Sequence, residues 1–132
     1  MSLFKFTDSI LKNRKIDLYN KGNHYRDFTY IDDVVISIFK LLTKKSLKKV
    51  PYDVFNIGSG NPKHLKVFLK LIEKNLNKKA KINYLPMQLG DVHKTHANCQ
   101  KLNKKIKYKP KIDIKIGIKK FVNWYKNYYL ID

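Results

Sequence analysis

A chain of 132 residues, 43% hydrophobic and 13% aromatic, has the size of one ordinary domain and enough apolar matter to bury a core. Its 29 basic residues face 10 acidic ones, a net charge of +19, yet all but Arg14 and Arg26 are lysines, spread over nearly every segment. That scatter argues against a nucleic acid as the main partner, because phosphate- and base-reading surfaces enrich arginine. One cysteine, Cys99, excludes an internal disulfide framework.

In chain order, Leu3, Phe4, Phe6, Ile10 and Leu11 recur at helical spacing and predict an amphipathic helix over residues 3–13. Ile16 to Tyr19 reads as a short strand closed by a turn at Asn20–Asn23. Tyr25 to Tyr30 alternates and reads as extended. Asp32 and Asp33 then open a helix running from Val34 to Leu42, as N-terminal caps. After a lysine-rich loop, Val54–Ile57 reads as a buried strand stopped by Gly58-Ser59-Gly60. Leu65, Phe68, Leu69, Ile72 and Leu76 mark a further helix, and Lys81–Leu85 a strand ending at Pro86. Residues 86–97 have no period and read as a loop; Asn98 caps a short helix through Ile106, and Asp113 starts the last helix. Strands alternating with helices define an α/β chain with some parallel pairing.

The densest local signal is Arg26-Asp27-Phe28-Thr29-Tyr30-Ile31-Asp32-Asp33. One of two arginines stands where an extended segment enters a helix, and a guanidinium can fork onto a phosphate or carboxylate. The plainer reading is an ion pair from Arg26 to Asp27 or Asp32 that fixes the corner. The second signal is Leu85-Pro86-Met87-Gln88-Leu89-Gly90-Asp91-Val92, an irregular stretch with polar side chains. His93, His96 and Cys99 fall three apart, a weak metal pattern without a fourth ligand, and no metal is assigned. His24 and His64 read as surface residues, with His24 close enough to Arg26 to approach a phosphate. The lysine excess itself goes with abundant Asn, Ile and Tyr, all encoded by AT-rich codons.

Together the two segments resemble the extended short-chain dehydrogenase/reductase family, the NAD-dependent epimerases and dehydratases of nucleotide sugars. Ile16-Asp17-Leu18-Tyr19-Asn20, Phe55-Asn56-Ile57-Gly58 and Lys120-Phe121-Val122-Asn123-Trp124-Tyr125 extend the likeness over nearly the whole chain. Met87-Gln88 before Gly90-Asp91 favours the UDP-glucuronate 4-epimerase subgroup. The resemblance implies a fold: the C-terminal substrate-binding lobe of a Rossmann-type enzyme, spanning residues 1–132 with few short strands and about five helices. It also implies site residues, with Arg26 on the diphosphate, Asp91 and Gln88 at the ribose or nucleotide end, and Tyr19 beside the uracil. A dTDP-glucose dehydratase-like lobe, or a basic nucleic-acid-binding domain, is the alternative.

Two family motifs are not in this sequence. Gly22, Gly58, Gly60, Gly90 and Gly117 form no G-x-x-G-x-x-G or G-x-G-x-x-G turn for NAD. No tyrosine has a lysine four residues later, the pairing that supplies the family's catalytic base. The expectation is therefore a lobe that binds a UDP-sugar but is inactive alone and holds no NAD by itself. A separately encoded NAD-binding half is then a possible partner. The opening residues Met1–Phe6 lack the apolar stretch of a secretory signal, and no run reaches the ~18–20 apolar residues of a membrane helix. A cytoplasmic location follows as an expectation.

Overall fold

The structure, a computed structural model, describes residues 2–47 and 49–131. Met1 and Asp132, the expected ends of the lobe, and Lys48 of the lysine-rich loop lie outside the described residues. Among the described residues, five helices and four short strands follow one another: α1 (Ser2–Leu11), β1 (Lys15–Tyr19), β2 (Tyr25–Arg26), α2 (Ile31–Leu42), β3 (Lys63–His64), α3 (Leu65–Leu76), β4 (Lys81–Leu85), α4 (Gln100–Ile106) and α5 (Ile114–Tyr128).

β1 alternates, with Ile16 and Leu18 buried and Lys15, Asp17 and Tyr19 outward. It pairs in parallel with β4, Ile16 opposite Ile82. A single 3-10 turn, Asn20–Gly22, follows β1. Gly22 is required there: its φ is +73°, and a Cβ would lie 2.6 Å from Leu18 Cδ2. β2 pairs antiparallel with β3, which leads directly into α3. The core gathers between α1, β1, α3 and α5, from Ile10, Ile16, Leu18, Phe68, Leu69, Ile72, Ile118 and Val122. Phe28 lays its ring flat on Phe68, centroids 4.2 Å apart, and so anchors the Arg26–Asp33 segment to this core. Asp8 ties the C-terminal turn of α1 to its surroundings, accepting from Lys12 at 2.7 Å, from Tyr125 of α5 at 3.1 Å and from Arg14.

Several expectations need correction. α2 begins at Ile31, with Tyr30 at its N-cap, so Asp32 and Asp33 sit in the first turn rather than before it. Asp33 does not cap its own helix. It is buried and accepts from Tyr108 Oη at 2.6 Å and from the Lys111 and Ile112 amides at 3.0 Å each. Of the stretch Tyr25–Tyr30, only Tyr25 and Arg26 are in a strand. Val54–Ile57 forms no strand and is not buried: Val54 is 59% exposed, and the segment joins neither small sheet. The first helix stops at Leu11, where the chain turns through Asn13 at a φ of 55°. Asn98 accepts from the Gln100 amide at 3.1 Å as expected of a cap, although Cys99 occupies the cap position itself.

Asp33 is thus an acceptor on which three donors of a remote loop depend. Burial pushes its carboxyl pKa up, but the bonds from Tyr108, Lys111 and Ile112 outweigh that and hold it below the ordinary value. Asp33→Ala leaves those donors unanswered and is expected to lower unfolding stability by ~3 kcal/mol in urea titration, Tyr108→Phe by ~1 kcal/mol. A carboxylate whose pKa is depressed by folding adds stability that is complete above its unfolded value and is lost as pH falls through the folded one. With the His24 pKa lowered from 6.5 by burial and Asp8, Asp27 and Asp33 all depressed from 3.8, the urea midpoint is expected to decline gently below pH 6.5 and to drop steeply below pH 3.8.

Candidate functional site

The charged groups converge on a cleft of about 470 Å³ between α1, β1 and the Arg26 segment. Lys5, Phe6 and Ser9 of α1 form one wall and Lys15–Tyr19 of β1 another; His24, Arg26, Leu65 and Asp91 close it. A second hollow, about 370 Å³, lies between Phe28, Tyr30, Phe68 and the start of α5. Its lining is mainly apolar, and its charged member, Asp113, already caps α5 through the Lys115 amide.

Backbone pairing delivers Arg26 and Asp91 to one place. The 86–97 segment, aperiodic in sequence, runs beside β2: the Tyr25 amide donates to His93 O at 2.8 Å, and the Thr95 amide to Tyr25 O at 3.1 Å. Arg26 Nη2 then donates to Asp91 Oδ1 at 2.7 Å. Its Nη1 donates to the carbonyls of Val92 at 2.7 Å, Tyr25 at 3.0 Å and His93 at 3.3 Å. Carbonyls and a carboxylate thereby fix the guanidinium plane, with the side chain 25% exposed at the cleft wall. Neither Asp27 nor Asp32 pairs with Arg26, as the plainer reading of this motif had it. Asp32 meets Lys120 at 3.2 Å.

Asp27 has another task. Its carboxylate accepts from the amides of Ser59 and Gly60 at 3.1 Å, from the Ala97 amide at 3.0 Å and from the Ser59 hydroxyl. Burial raises its pKa, and these bonds together more than reverse that. One side chain so binds the Gly58–Gly60 turn and the end of the 86–97 segment to the base of β2.

The cleft unites three of the four residues named from sequence: Tyr19 at the end of β1, Arg26 and Asp91. Gln88 is exposed and stands outside the lining; its carbonyl accepts the Asp91 amide at 3.1 Å, in a turn where Gly90 has a φ of +80°. His24 is not a surface residue: it is 2% exposed and lines the cleft. Its Nε2 comes within 3.3 Å of Asp91 Oδ2 but is not aligned for a hydrogen bond. His64 caps α3, accepting from the Lys66 amide at 3.1 Å. His93, His96 and Cys99 go to separate partners, respectively Asn20, the Gly60 carbonyl and the Gly58 carbonyl. Among the described residues no group of three His, Cys, Asp or Glu could hold a metal. Lys5, Ser9 and Lys15 were not foreseen in the site. Period explains them: Lys5 and Ser9 are four apart on one helix face, and Lys15 alternates with Asp17 and Tyr19 on β1.

Residues 2–58 match the sequence pattern of the NAD dependent epimerase/dehydratase family. The chain as a whole is similar to the C-terminal part of UDP-glucuronate 4-epimerases. It is 48% identical to an uncharacterized protein of Methanocaldococcus jannaschii, over 95% of this chain and 37% of that one. It is 38% identical to a probable UDP-glucuronate 4-epimerase of Rhizobium meliloti, over 98% of this chain and 42% of that one. The crystal structure of the Bacillus cereus UDP-glucuronic acid 4-epimerase in complex with UDP-glucuronic acid and NAD superimposes with a TM-score of 0.86 at 25% identity, over 98% of this chain and 40% of that one. The chain thus spans about two-fifths of the length of the relatives it matches. The fold is that of the UDP-sugar epimerases, α/β with few strands and five helices.

Close approach makes Gly58 the tightest point beneath the site. A Cβ there would meet Ala97 Cβ at 2.4 Å and Asp27 Oδ2 at 3.1 Å. Gly58→Ala is expected to cost ~2 kcal/mol of stability and to raise amide exchange at Ala97, read by hydrogen-exchange mass spectrometry.

Proposed function

We propose that this chain is the UDP-sugar-binding part of a UDP-glucuronate 4-epimerase-type enzyme. The cleft between α1, β1 and Asp91 receives the nucleotide. Arg26 carries the reading: a cation clamped in one orientation by three carbonyls and a carboxylate, still a quarter exposed, suits a ligand that presents two phosphates. Lys5 and Lys15 on the facing wall add positive charge, and Tyr19 offers a ring at the rim for a base. Asp91 accepts from a ribose hydroxyl, and Gln88, next to it in the turn, reaches over the same end.

NAD does not fit the residues of this chain. The single glycine-rich turn, Gly58-Ser59-Gly60, has its Ser59 and Gly60 amides already donated to Asp27, where a pyrophosphate would need them. No step of hydride transfer is therefore assigned here. The catalytic reaction belongs to sequence present in the longer relatives, and an NAD-binding part is the companion this reading calls for. One side of α2 is open to such a partner, with Ile31, Val35, Phe39 and Leu42 all exposed, and Val50, Tyr52 and Val54 exposed just beyond it.

Calorimetric titration tests the site. UDP-glucuronate is expected to bind the purified chain with micromolar to millimolar affinity, and Arg26→Ala to weaken it about tenfold or more, the loss of one charge-assisted contact. With UDP-glucuronate and NAD supplied, no UDP-galacturonate should form. Unchanged affinity in Arg26→Ala, or turnover by the chain alone, overturns the proposal.

A further inference from the structure

Among the described residues, His24 is the buried polar side chain of the cleft that the reading above leaves without a task. Its ring is 2% exposed, and its Nε2 is buried without a hydrogen-bond partner among the described residues. Leaving such a group unsatisfied is costly, so it marks a place where something changes. The nearest polar atom is Asp91 Oδ2 at 3.3 Å, on the carboxylate whose other oxygen holds Arg26 at 2.7 Å. Asp91 is thus shared between a guanidinium that is always charged and an imidazole that can gain charge.

We infer that His24 is a proton-accepting positioning residue of the cleft, which takes up one proton as a nucleoside diphosphate engages Arg26. The inference rests on the UDP-sugar reading of the site. In the free chain Arg26 answers the Asp91 charge, and His24 stays neutral. A diphosphate placed against Arg26 brings two negative charges beside the pair and draws on the same guanidinium. Asp91 then lacks part of its compensation, and protonation of His24 Nε2 restores it. The proton comes from solvent. The new N–H points at Oδ2, and a small rotation turns the misaligned 3.3 Å contact into a charged hydrogen bond. Asp91 is held in place for the ligand instead of being repelled by it.

The surroundings of His24 favour such a two-state group. Burial comes first in holding its pKa below the ordinary value; Asp91 pulls the other way, and Arg26, His93 and His64 add to the lowering. His93 stands on the Asp91 segment with its ring 6.2 Å away, and His64 on β3. Lys5 from α1 and Lys15 and Asp17 from β1 line the same cleft. Added negative charge from a ligand moves this balance toward the protonated form.

The experiment is calorimetry of UDP-glucuronate binding at pH 7 in buffers of different ionisation enthalpy. UDP-glucuronate is preferred to UDP, whose terminal phosphate titrates near pH 6 and would contribute its own proton. The slope against buffer enthalpy should report uptake of close to one proton, and affinity should fall by up to about tenfold per pH unit above neutrality. Uridine, which has no phosphates, should show no uptake. His24→Gln keeps an N–H donor but cannot titrate, and should lose both the uptake and the pH slope. In the unaltered chain, proton NMR of the four histidines reads the same event without a variant: the His24 ring signal should move to its protonated position on adding UDP-glucuronate. Binding without proton uptake, or with an unmoved His24 signal, overturns this inference and leaves the UDP-sugar site standing. Failure of UDP-glucuronate to bind overturns both.

Discussion

Two aspartates hold this small fold together by accepting backbone N–H groups. Asp27 takes three amides and a hydroxyl from the 58–60 turn and from Ala97, and Asp33 takes two amides and a phenol from the 108–112 segment. Both sit within one stretch of seven residues, either side of Phe28, whose ring is stacked on Phe68 in the core. The sheets are too short to satisfy these loops: each has only two strands. Buried donors need partners, and in a chain with so little ladder the carboxylates supply them. What reads in sequence as a capped helix entry is thus a clamp on three remote segments.

The cleft follows from that clamp. Because Asp27 fixes Ala97 and β2 pairs with residues 93–95, the turn that carries Asp91 has no freedom to drift from Arg26. Arg26 is then held on three carbonyls, two of them from this same segment. The orientation of the guanidinium is settled before any ligand arrives, which spares the ordering cost that a free arginine would meet on binding.

Much of this was legible in the residues. The helical spacing of Leu65, Phe68, Leu69 and Ile72 and the alternation of Ile16 and Leu18 located α3 and β1, because both elements bury a single periodic face. Tyr19, Arg26 and Asp91 were marked for one site, and the cleft holds all three. The Asp33 contacts were not legible, since its donors lie at least 75 residues away in sequence and no local pattern announces them. His24 misled for a related reason: a single polar residue in a turn looks solvated until β3 and the 86–97 segment cover it. Val54–Ile57 has a strand's composition but joins neither sheet, and composition carries no information about pairing partners.

The parallel pairing of β1 with β4 carries a consequence for how the molecule is made. Each strand residue finds its partner 66 positions later, as Lys15 does in Lys81. At a synthesis rate of roughly 5–20 residues per second, β1 waits about 3–13 seconds on the ribosome before its partner exists. During that delay Ile16 and Leu18 can pack on α1 and, once it is made, on α3, whose Phe68, Leu69 and Ile72 share their core. Both helices therefore cover β1 before its distant partner strand arrives.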